Sequence, residues 1–242
     1  MMLKKRIPLN HIVTDQEKFI EGSKHWAFDS IRRFEEEYKY DLKERGLEED
    51  EGYGKVFLGL RTKETREYVN DVFLKFVKNP DFNIFALAGK KGSGKTISLL
   101  NFAAEQSDCY IKNPEKEPFP IYIDFDFFNT IRDFELCLNN ICFNYFKDSI
   151  VSENSLFRLA QNGYLFFIID DFDKIIAKMF KDCIIAETGI FHSSKVIISA
   201  QEKFFENTYP FEPIEEKEYF RKNEIDFFPL FRGINSENTI TL

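Results

Sequence analysis

Apolar positions along the chain follow two different periods. From residue 15 to 45 they recur at helical spacing among charges: Phe19, Ile20, Trp26, Phe28, Ile31, Phe34, Tyr38 and Leu42. Gly46, just after Glu44 and Arg45, is a stop signal. The acidic, glycine-containing stretch from Glu48 to Gly54 marks a boundary. A short apolar run, Val56 to Leu60, ends in Arg61. A second helical pattern follows over 62–79, with Thr62 as its cap and Val69, Val72, Phe73, Phe76 and Val77 on one face. Asn79-Pro80-Asp81 ends it.

Beyond residue 83 the pattern changes. The runs Ile84 to Ala88, Ile121 to Phe125, Leu165 to Ile169 and Val196 to Ser199 are apolar at nearly every position and have strand length. Between them lie helical patterns over 95–106, 131–147, 153–162 and 173–187. Strands apolar on both faces, separated by helices, predict an α/β fold with a parallel sheet covered on both sides. The expected organisation is an N-terminal helical segment over 1–54, a core over 55–212 and a short C-terminal piece over 213–242.

Composition fits a chain of 242 residues with a real core: 43% is hydrophobic and 31% charged. The 29 phenylalanines supply that core rather than a cofactor box. Charge narrows the function classes. With 33 basic against 41 acidic side chains, the net charge is −8. That weighs against a protein whose main task is gripping nucleic acid, although a local basic patch stays compatible with it. No run reaches the ~18 apolar residues of a membrane span, so no membrane partner is expected. The N-terminal charges have no apolar run behind them, so no secretory signal is expected. Cys109, Cys137, Cys142 and Cys183 form no C-x-x-C pair, and His11, His25 and His192 are too few and scattered to complete a zinc set. The expectation is four reduced thiols in a cytoplasmic protein.

The strongest chemical signal follows the first core run. Gly89-Lys90-Lys91-Gly92-Ser93-Gly94-Lys95-Thr96 is G-x-x-x-x-G-K-[ST], the Walker A pattern. Glycines let the backbone turn its N–H groups inward around a phosphate. The helix opening near Lys95 adds its positive end. Lys95 can reach the β- and γ-phosphates, and the Thr96 hydroxyl can bind Mg²⁺. Ile97, next along the helix, counts among the expected nucleotide contacts.

A second signal is the apolar run ending in Asp170-Asp171-Phe172-Asp173. A carboxylate at the C-terminal edge of such a strand, here Asp170, suits the Mg²⁺ shell beside Thr96, as in Walker B. Either Asp171 or Asp173 can orient an attacking water; the sequence does not choose. The next run leaves through Ser199, Ala200 and Gln201, and Ser199 and Gln201 are candidates to sense a γ-phosphate.

In combination these motifs resemble the AAA+ and STAND ATPases, particularly the NACHT and NB-ARC branch. Phe57 to Arg61 with the helix after it resembles the entry segment that contacts adenine, placing Arg61 among the nucleotide contacts. Ile168 to Asp173 is similar to the extended NACHT Walker B, with its second acid three residues after the first. Val196 to Gln201 resembles the sensor strand, with Gln201 where Arg is usual. Phe211 to Phe220 resembles the entry to the lid. The resemblance covers roughly 55–222. It implies a P-loop NTPase three-layer sandwich with a five-stranded parallel sheet of order 5-1-4-3-2, an N-terminal helical extension and a truncated C-terminal lid. It further implies ATP/ADP and Mg²⁺ as cofactors, and slow ATP hydrolysis serving as a signalling switch with a protein partner or a second copy of itself. An AAA+ ATPase acting on DNA or protein, and a non-catalytic ATP-binding module, are the alternatives. No arginine occurs between Arg158 and Arg221, where a ring-type motor usually carries its arginine finger.

Overall fold

The computed structural model describes residues 7–44, 67–78, 84–124, 144–146, 158–175, 195–202, 204 and 239–241. The first long helix, α1, spans Gln16–Glu44. Asp15 caps it: its carboxylate accepts the Lys18 N–H at 3.1 Å and its carbonyl accepts the Phe19 N–H at 3.0 Å. Phe19, Trp26, Ala27 and Tyr38 are buried, as the spacing requires. Phe28 departs from the expected stripe and is 56% exposed, because it lies one step of about 100° beyond Ala27 on the helix.

Helix α2 spans Val69–Lys78 and buries Val69, Phe73 and Phe76. The start expected at Thr62 lies outside the described residues. Strand β1, Ile84–Ala88, matches its apolar run. Helix α3 spans Lys95–Lys112, running six residues past the expected end. Gln106 and Ser107 interrupt the apolar pattern there, yet both are buried, and Tyr110 beyond them is buried as well.

Strand β2, Phe119–Ile123, starts two residues before the expected run and contains Pro120. The topology makes that proline harmless. Among the described residues, β2 has a single neighbour in the sheet, β3. The Phe119 N–H donates to Tyr164 at 2.8 Å, so the next residue's nitrogen faces away from β3 and needs no hydrogen. Strands β3, Leu165–Ile169, and β4, Lys195–Ala200, follow. The three-residue strand β5, Thr239–Thr241, pairs with β1.

All pairings are parallel, in the order β2-β3-β4-β1-β5. Four strands of five or six residues form the body of the sheet. Among the described residues, no fifth strand of comparable length joins them to complete the expected five; β5 is a short edge addition. Alternation sends Ile84, Ile121, Phe167 and Ile198 to one face, where they meet Phe19, Trp26, Leu159 and Phe172. Phe85, Tyr122, Ile168 and Ile197 point to the other face, against α2 and α3. Helix α1 serves both clusters: Phe19 and Trp26 join the first, and Phe34 packs against the second.

Of the other expected helices, 144–146, 158–162 and 173–175 are described; 144–145, 158–161 and 173–175 are helical, whereas Phe146 and Asn162 are not. The entry segment with Arg61, the lid-like stretch from Phe211, and Cys137, Cys142, Cys183 and His192 lie outside the described residues. Among the described residues, no helix is long and apolar enough to cross a membrane.

Candidate functional site

The site forms where β1, β3 and β4 end. The chain leaves β1 at Ala88 and turns through the glycine loop into α3. Gly92 and Gly94 have φ values of 79° and 95°, the left-handed region where a side chain is strained. Gly94 is the N-cap of α3 and offers no side-chain cap. The first amides of α3 therefore lack the usual side-chain acceptor and suit an anion. The Ser93 hydroxyl is buried with no hydrogen-bond partner.

Lys95 folds back along this loop. Its Nζ donates to the carbonyls of Gly89 at 2.8 Å and Lys90 at 3.0 Å. Burial lowers its pKa, and Lys174 pushes the same way, while Asp170, Asp171 and Asp173 oppose the shift.

Asp170 is 2% exposed and collects three donors. Its Oδ1 accepts from the Ser199 hydroxyl and from the Asp171 N–H at 2.9 Å. Its Oδ2 accepts from the Tyr122 phenol at 3.3 Å. The Thr96 hydroxyl lies near enough to this carboxylate to favour its charged form. Burial raises the Asp170 pKa, and the Ser199 and Thr96 hydroxyls pull it partly back. The acid at the end of β3 thus lies close enough to Lys95 and Thr96 to act on both electrostatically.

The acids after Asp170 behave differently. Asp171 has φ 51°, unusual for a residue with a side chain. Its N–H also donates to Ser199 Oγ at 3.1 Å, and its Oδ2 pairs with Lys174 Nζ at 2.6 Å. Asp171 faces a cleft of about 460 Å³ bounded by Lys91, Gly92, Gly94, Lys95 and Thr96. Asp173 is not part of that wall. Its Oδ1 is buried without a partner, and burial raises its pKa while the Gln201 backbone opposes the shift.

The structure thus separates the expected site residues. Lys91, Gly92, Gly94, Lys95, Thr96, Ile97, Asp171 and Gln201 border the cleft. Gly89 and Lys90 hold Lys95 from behind. Ser199 is fully buried and grips Asp170 and Asp171, so it acts on the acids rather than facing the cleft.

Helix α1 adds residues that the motifs did not reveal. Glu37 and Tyr40 form a wall of the cleft, and Lys174 completes its acidic side. One turn earlier on α1, Arg33 forms an ion pair with Asp124 at the exit of β2 and lies 5.3 Å above the Tyr122 ring. The Tyr122 phenol is pushed well above its ordinary pKa, first by burial and then by Asp170 and Asp124. The only sequence signal for this group was the acid at the end of the β2 run.

Oxygen donors suit a hard cation such as Mg²⁺. Thr96 and Asp170 supply two. Among the described residues, no group of three or more His, Cys, Asp or Glu stands ready to hold a metal by itself.

Comparison with known proteins returns no match: no family model, no curated protein and no solved structure corresponds to the chain.

Proposed function

We propose that the chain is a P-loop NTPase of the AAA+/STAND type that binds ATP or ADP with Mg²⁺ and hydrolyses ATP slowly, using the bound nucleotide as a switch. The observation carrying this reading is that Lys95 and Thr96 of the glycine loop border one cleft with Asp171, whose neighbour Asp170 is held by Ser199 from the adjacent strand end. A chance glycine turn has no reason to bring a buried carboxylate near the hydroxyl that follows the loop lysine. The strand order supports the same reading, since it is the one the resemblance implies, with the short β5 in the place of the fifth strand. The three-layer sandwich and the N-terminal extension belong to this proposal.

In this mechanism the glycine loop and the free amides of α3 bind the phosphates. Lys95 leaves its loop carbonyls for the β- and γ-phosphates. Thr96 and Asp170 would hold Mg²⁺, which supplies charge neutralisation when bound. Ser199 and Tyr122 fix the Asp170 carboxylate, and Asp171 orients water. In hydrolysis the water oxygen bonds to the γ-phosphorus, the bond to the β–γ bridging oxygen breaks, and a water proton passes to Asp171. ADP and phosphate leave.

Asp171 rather than Asp173 is assigned to water because only Asp171 borders the cleft. Asp171→Ala is expected to keep ATP binding and lose turnover by about a hundredfold or more. Asp173→Ala is expected to stay within a few-fold of the wild type. Steady-state phosphate release measures both. Equal turnover in wild type and Asp171→Ala contradicts the assignment. A signalling partner, whether another protein or a second copy, is proposed on the resemblance alone.

A further inference from the structure

We propose that Lys174 senses the γ-phosphate: ATP draws its ammonium away from Asp171, and ADP does not. The proposal rests on the reading of the cleft as a nucleotide site and adds a means of telling a triphosphate from a diphosphate.

The geometry has a fixed acid and a movable base. Asp171 is pinned through its backbone, with its N–H on Asp170 Oδ1 at 2.9 Å and Ser199 Oγ at 3.1 Å. Lys174 carries its charge on a four-carbon stem and is half exposed, with 49% of its side chain accessible. The pair is closed at 2.6 Å, and both residues border the cleft with Lys95 and Thr96. Lys174 and Lys95 are close enough to oppose each other electrostatically, so an anion between them relieves both.

Lys174 borders the cleft as a cation alongside Lys91 and Lys95. Among the described residues, no arginine borders this cleft, and Arg33 nearby is committed to Asp124. A terminal phosphate carries more negative charge and more acceptor oxygens than one carboxylate, so it competes well for a lysine. ADP ends at the β-phosphate, which Lys95 and the loop amides already serve. Loss of the ion pair to ATP leaves the Asp171 carboxylate unneutralised and turned toward the cleft. The cation that recognises the triphosphate is therefore the same one that masks the acid in its absence.

Equilibrium titration of the full chain with Mg·ATP and Mg·ADP tests this in wild type, Lys174→Met, Lys174→Arg and Asp171→Asn. Lys174→Met is expected to weaken ATP binding about tenfold and to leave ADP binding within about twofold. Lys174→Arg is expected to restore most of the loss. Asp171→Asn removes the competitor for Lys174, so it is expected to tighten ATP binding several-fold without moving ADP, an effect that a merely structural pair does not produce. Unaltered ADP affinity in Lys174→Met also reports an intact fold. If ATP and ADP weaken together, or neither changes, the sensor role is overturned while the nucleotide site stands. Failure of the wild type to bind either nucleotide overturns both.

Discussion

Tyr122 on β2 donates its phenol hydrogen to Asp170 at the end of β3, 3.3 Å away, on the carboxylate oxygen that Ser199 does not use. The acid at the centre of the site is thus held from both neighbouring strands. Tyr122→Phe keeps the ring under Arg33 and removes this one bond. It is expected to cost about 1 kcal/mol of stability, read from urea unfolding, and to weaken Mg·ATP binding modestly. Unchanged stability would show that the phenol does not hold the acid.

Burial sets the pH behaviour of Asp170. Its pKa is raised in the folded state, so at neutral pH its charge opposes folding. As pH falls through the folded pKa toward the unfolded one, the native state takes up the proton first and this contribution to stability rises. Asp170→Asn removes the charge and keeps an acceptor for Ser199 and the Asp171 N–H. The variant is expected to be more stable than wild type at pH 7, by on the order of 1 kcal/mol, with the gap narrowing as pH is lowered. Thermal unfolding across that range measures it. A variant less stable than wild type at pH 7 contradicts this account of the acid.

A different kind of constraint fixes α1. A β-carbon on Gly22 comes 1.8 Å from the Tyr145 carbonyl oxygen, far inside contact distance. Around it Phe19 stacks on Phe146 at 5.0 Å, and Trp26 meets Tyr145 edge-on at 4.9 Å. Gly22→Ala is expected to destabilise the fold by about 1–3 kcal/mol, measured by the midpoint of urea unfolding. A loss below about 0.5 kcal/mol, within the range of ordinary surface substitutions, means that α1 does not pack this closely.

Local rules made much of this fold legible in the sequence, and the exceptions have local causes. α1 was legible in the helical spacing of Phe19, Trp26 and Tyr38, whereas its Asp15 cap emerged only in the structure. β1, the glycine loop and the start of α3 followed from a pattern that needs φ above zero at Gly92 and Gly94. The end of α3 was missed because Gln106 and Ser107 look like surface yet are buried. The start of β2 was missed because Pro120 reads as a break unless the strand is known to have only one partner. The Walker motifs gave Lys95, Thr96 and Asp170. They could not give Tyr122 on Asp170 or Arg33 on Asp124. Those pairs join residues far apart in the chain with no periodic signature. Glu37 and Tyr40 sat on the polar side of a helix, where nothing distinguished cleft from solvent.

The most direct measurement is equilibrium binding of ATP with Mg²⁺ to the purified wild type and to Lys95→Ala, with Asp170→Asn as the metal-site control. The account predicts that the wild type binds ATP and ADP, that Lys95→Ala loses nucleotide binding, and that Asp170→Asn loses the part that depends on Mg²⁺. Absence of nucleotide binding in the wild type, or equal affinity in Lys95→Ala, contradicts the assignment of the glycine loop as a phosphate site.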